Sequence, residues 1–100
     1  NMIGQIEPNT FIHLVSLKHL RLAFNRLEFG DGENPFYGLE NLEELNLSQN
    51  CIKKIDSKFL NYFKKLKNLE LVGNRDISVD LENSNSDLLI SGIESISELS

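Results

Sequence analysis

The stretch NLEELNLSQNCI, residues 41–52, places leucines at 42, 45 and 47, an asparagine at 50 and an isoleucine at 52. An amphipathic helix keeps its apolar residues at intervals of three and four, and a half-buried strand keeps alternating. Neither period survives this stretch. The same order recurs upstream in LKHLRLAFNRL, with Leu17, Leu20, Leu22, Asn25 and Leu27, and downstream in LKNLELVGN, with Leu66, Leu69, Leu71 and Asn74. The asparagines are spaced by 25 and then 24 residues. A further step of 24 back from Asn25 lands on Asn1, and Ile3 and Ile6 follow it as Ile52 and Ile55 follow Asn50. The chain is therefore expected to start inside a repeat and to belong to a longer protein.

The spacing has a physical reading. In LxxLxL the second and third leucines flank one outward residue of a short strand, the first enters from the preceding turn, and all three point into a coil. The asparagine stands where the chain bends off the strand, where its amide can satisfy backbone groups that the turn leaves inside. Asn1, Asn25, Asn50 and Asn74 are thus expected to form a structural ladder.

These residues resemble the leucine-rich repeat family. The run NMIGQIEPNTFIHLVSLKHLRLAFNRL, residues 1–27, is closest to its typical subtype of roughly 24 residues, as found in Toll-like receptor ectodomains. The resemblance implies an α/β solenoid, a right-handed superhelix with a parallel concave sheet and an irregular or short-helical convex side. It covers residues 1–77, as a partial repeat and three strand modules. Residues 78–100 are expected to be a degenerate repeat, with Ile77 one place late and an insertion at ENSNSD, cut before its own asparagine.

The connecting halves differ. In RLEFGDGENPFYGL, Phe36 and Leu39 fall one place late beside a cluster of turn-forming residues, which predicts a protruding loop over residues 28–38. In KKIDSKFLNYFKKLKNL, Phe59, Phe63 and Leu66 fall at helical spacing with Asp56 or Ser57 as cap, which predicts a short convex helix.

Alternation on the strands predicts outward columns: His19, Glu44 and Asn68; Arg21, Asn46 and Glu70; then Ala23, Ser48 and Val72, finished by Phe24, Gln49 and Gly73. A rigid strip of side chains loses little entropy on binding. Candidate binding residues are therefore His19, Arg21, Phe24, Glu44, Asn46, Gln49, Asn68 and Glu70. Phe24 with Arg21 is the anchor pair, since aromatics and arginine are enriched at hot spots. The competing and favoured reading packs Phe24 beside the asparagine turn. By family analogy, Phe29, Asp31, Glu33, Phe36 and Tyr37 make a candidate contact loop, with residues 77–88 a second.

Asn46-Leu47-Ser48 is an N-x-S sequon, which makes Asn46 a candidate glycosylation site if the chain enters the secretory pathway. Six of the ten basic residues fall at Lys53, Lys54, Lys58, Lys64, Lys65 and Lys67, read chiefly as the solvated side of the predicted helix. The net charge of −5 argues against nucleic acid. Cys51 is the only cysteine, so no intrachain disulfide can form. No apolar run reaches the length of a membrane span, and no membrane contact is expected. His13 and His19 lie on different faces, no serine sits in a nucleophile elbow, and GDGEN lacks most calcium ligands; neither catalysis, metal nor cofactor is expected.

The resemblance implies a non-enzymatic recognition module of an extracellular receptor, binding a protein ligand or receptor partner and able to dimerise, with signalling in other domains. The rivals are an adhesive or structural matrix protein and an intracellular scaffold or adaptor.

Overall fold

The computed structural model describes residues 3–7, 9–29, 33–81 and 87–92. Its elements in chain order are β1 (His19–Arg21), β2 (Glu44–Asn46), β3 (Lys54–Ile55), α1 (Ser57–Tyr62), β4 (Asn68–Glu70), β5 (Ser78–Val79) and β6 (Leu89–Ser91). Strands β1, β2, β4 and β6 form one parallel sheet in that order, and β3 pairs with β5 in a second. Leu20 pairs with Leu45, Leu45 with Leu69 and Leu69 with Ile90, so each turn of the chain lays one strand beside the last.

The pairing continues past the strands. The Leu22 and Phe24 amides donate to the carbonyls of Asn46 and Ser48, and the Leu47 and Gln49 amides to those of Glu70 and Val72. The chain then leaves the sheet through Phe24, Gln49 and Gly73, all in left-handed conformation with φ of 62, 57 and 88°. This bend ends each strand after its second inward residue, which is why the alternation in the sequence is so short.

The asparagine after each bend closes the coil. Asn50 Nδ2 donates to the carbonyls of Leu47 and Ser48 in its own coil and Leu22 in the coil before, while its Oδ1 accepts from Leu27 N–H. Asn74 repeats this with Leu71, Leu47 and Ile52 N–H. Asn25 bonds the carbonyls of Leu22 and Ala23 and accepts from Ile3 N–H. The expected ladder is therefore present at 25, 50 and 74. Asn1 lies outside the described residues.

Inside, Leu42, Leu45, Leu47, Leu66, Leu69 and Leu71 are fully buried. Their counterparts Leu17, Leu20 and Leu22 are only partly so, because a coil is covered by its neighbours alone.

The far side from the sheet is built of aromatic rings. Helix α1 is capped by Asp56, whose Oδ1 accepts from Phe59 N–H at 2.8 Å, as the sequence predicts. Phe59 and Leu60 face inward from it. Phe36 has no exposed surface and lies at the centre, 5.9 Å from the Phe11 ring, 6.2 Å from Phe29, 6.0 Å from Phe59 and 6.5 Å from Phe63. Phe29 stacks on Phe59 at 5.4 Å. This corrects the expected placement of Phe36 and Phe29 in a protruding loop: Phe36 is core, and Phe29 is half-buried against it. Shifting the apolar residues by one place fills the interior differently without exposing them. Asp31 lies outside the described residues, and of the loop candidates Glu33 and Tyr37 are exposed.

The last coil is shorter, not longer. The strand offset is 25 residues from β1 to β2 and 24 from β2 to β4, but 21 from β4 to β6. Ile55 still pairs with Val79, an offset of 24, so the loss falls between Val79 and Ile90. The register therefore gives a short coil where an insertion was expected. Residues 82–86 themselves lie outside the described residues.

Candidate functional site

The two outward columns are fixed by backbone pairing. His19, Glu44 and Asn68 are register partners, as are Arg21, Asn46 and Glu70, and β6 extends the columns with Leu89 and Ser91. Side chains at paired positions of neighbouring strands stand roughly 5 Å apart. His19 Nε2 lies 3.9 Å from Glu44 Oε1, both about half exposed. Glu43, one place before β2, lies 4.0 Å from Lys67 Nζ. The face is mixed in charge, with His19, Arg21 and Glu70 exposed and Glu44, Asn46 and Asn68 half-buried.

Phe24 is 65% exposed, which overturns the favoured expectation that it packs beside the asparagine turn. Left-handed backbone at this position carries the side chain off the coil instead of into it. Phe24 and Arg21 therefore share the solvent side of the first coil, and Gln49 occupies the equivalent place in the second. The Gln49 side chain folds over Gly73, where an added Cβ would meet its amide group at 2.5 Å.

One member of the face is missing from the sequence reading. Leu89, 69% exposed, continues the Asn68 column, while Val72, expected to face outward, is 49% exposed beyond Glu70. Leu89 has no LxxLxL signature around it. Only the register identifies it.

Asn46 Oδ1 accepts from Ser48 N–H at 3.0 Å, within the sequon itself. The lysines of residues 53–67 are exposed; Lys53 Nζ donates to the Arg75 carbonyl and Lys67 meets Glu43. Among the described residues no helix is long and apolar enough to cross a membrane.

Residues 31–75 match the family model for leucine rich repeat. They contain the β2 and β4 strands, the Asn50 and Asn74 ladder positions and helix α1. No solved structure gives a significant match to the chain.

Proposed function

We propose that this chain is a protein-recognition module of an extracellular leucine-rich repeat receptor ectodomain. The stacked coils seen here would wind as a right-handed superhelix. The observation that carries the reading is the Arg21–Asn46–Glu70 column, held in register beside exposed Phe24. Side chains fixed at strand positions present a preorganised surface, so binding costs little ordering entropy. Phe24 and Arg21 supply an aromatic and a cation of the kind that dominates interface energetics. The flanking Glu44 and Glu70 set charge complementarity and the rate of encounter. Residues 31–75 support the interaction role through their leucine-rich repeat match. The extracellular part rests on the likeness of residues 1–27 to the typical repeat subtype and on the Asn46 sequon.

The test is a binding screen of the full chain against purified extracellular proteins, repeated with the Arg21→Glu and Phe24→Ala variants. A partner whose binding falls at least tenfold with either variant supports the reading, tenfold being about 1.4 kcal/mol. A partner indifferent to both moves recognition off this face. Surface biotinylation of intact cells tests the location, and an inaccessible chain overturns the extracellular assignment.

A further inference from the structure

Between Ile52 and Lys67 every exposed residue is a lysine: Lys53, Lys54, Lys58, Lys64, Lys65 and Lys67. The run follows one coil, from β3 across α1 to the start of β4. Its large apolar side chains, Phe59, Leu60, Phe63 and Leu66, turn inward, so ammonium groups dominate what solvent meets. Asp56 is the one acid in the run, and its Oδ1 caps α1. Residues 52–67 therefore carry six bases against one acid, a net +5, and the rest of the chain four bases against fourteen acids, a net −10. Among the described residues Lys58, Lys64 and Lys65 have no ion-pair partner, while Lys67 lies 4.0 Å from Glu43 and Lys53 Nζ donates to the Arg75 carbonyl. Such exposed ties are weak and exchange readily.

The chemistry of a partner follows from these observations. A concentration of one sign of charge draws a partner of the other. A protein interface needs an apolar centre, and no exposed large apolar side chain falls in the run. Holding single-stranded bases needs exposed aromatic platforms, which the run also lacks. Acids stand on either side, with exposed Glu33 and Glu40 in the coil before and exposed Asp76 and Asp80 in the coil after. A flat bilayer or a rigid duplex covers several coils at once and meets these carboxylates, whereas one flexible chain can keep to a single coil. Lysine ammoniums are hydrated point charges with no planar match to make, which suits anions repeated along such a chain.

We infer that this lysine belt holds a linear sulfated polysaccharide, its sulfates paired with Lys58, Lys64 and Lys65. The inference rests on the reading of the chain as extracellular, where such polysaccharides occur, and adds a contact surface away from the strand columns.

The probe is a heparin decasaccharide, titrated into the full chain at about 0.15 M salt and again at higher salt. Saturable binding that weakens as salt rises is expected, and desulfated heparin should not reproduce it. Lys58→Gln/Lys64→Gln/Lys65→Gln should weaken binding roughly tenfold or more, while Lys18→Gln/Arg26→Gln, off the belt, should change it by less than about twofold. All five side chains are exposed, and circular dichroism of each variant checks that it folds. No binding, equal binding of the desulfated chain, no loss in the triple variant, an equal loss in both variants, or tighter retention of phosphatidylserine vesicles or duplex DNA each overturns the assignment. If that happens while surface biotinylation still labels the chain, the belt fails and the extracellular reading stands. Heparin binding by a chain that biotinylation cannot reach overturns the location, and the partner with it.

Discussion

Asn50 Oδ1 accepts the Leu27 amide at 2.9 Å, tying each coil to the one before it. Its Nδ2 reaches carbonyls in both coils, so one buried side chain serves four backbone groups. Asn50→Ala strands these groups away from water. The expected loss is about 2–4 kcal/mol in urea unfolding. Asn50→Asp keeps the acceptor for Leu27 but turns a carboxylate toward the carbonyls of Leu22 and Leu47, and burial raises its folded-state pKa above the unfolded value. Relative to the parent, this variant should therefore be least stable at neutral pH, and should recover as pH falls through that raised pKa and the acid protonates. A defect in Asn50→Asp that is the same at pH 4 and pH 7 would count against the ladder as the cause.

Two phenylalanines that look alike in sequence should behave oppositely. Phe36 has no exposed surface and four ring neighbours, so Phe36→Ala is expected to cost about 3–5 kcal/mol. Phe24 is 65% exposed, and Phe24→Ala should leave stability within about 0.5 kcal/mol while weakening partner binding. Comparable unfolding midpoints for the two variants would contradict the placement of both rings.

Gly38 has φ of 106°, and an added Cβ would fall 2.4 Å from Ile12 Cα and 2.6 Å from the Phe11 carbonyl oxygen. The obstruction is backbone of the neighbouring coil, which cannot rotate away. The Gly38 amide also donates to Tyr62 Oη at 2.7 Å, so this strand-free segment is held from both sides. Gly38→Ala should destabilise by about 2–4 kcal/mol from overpacking and left-handed strain together. Tyr62→Phe removes only the acceptor, and a loss of about 1–2 kcal/mol is expected. Thermal unfolding of the two variants ranks them, and an alanine variant as stable as the parent would refute the close approach.

The ladder and the strand columns were legible in the sequence because they follow from spacing alone: Asn25, Asn50 and Asn74 recur with the leucines, and alternation fixes what points outward. The rest was hidden where spacing and burial part company. Phe36 stands one place late and reads as loop, yet an aromatic core tolerates that shift because neighbouring rings fill the remaining space. Phe24 reads as apolar filling, yet its left-handed backbone turns it outward. The β6 strand was missed because the 21-residue offset puts Asp87 and Gly92 where the previous coil has Leu66 and Leu71, leaving Ile90 as the one apolar match. No periodicity can be read from a single residue.

Asn46 links the surface chemistry to the location of the chain. Its Oδ1 is held by Ser48 N–H, on a half-buried position midway between Arg21 and Glu70. If the protein passes through the secretory pathway, as proposed, peptide mapping of material from its native source should find an N-glycan on Asn46, removable by an amidase and abolished by Ser48→Ala. A glycan there projects from the middle of the columns and obstructs Arg21 and Glu70. Recognition would then fall to surfaces off the columns, and Arg21→Glu should have little effect on binding. An unmodified Asn46 leaves the columns open, so Arg21→Glu should then weaken binding at least tenfold, about 1.4 kcal/mol. Mapping Asn46 therefore decides whether the strand columns are the surface to mutate first.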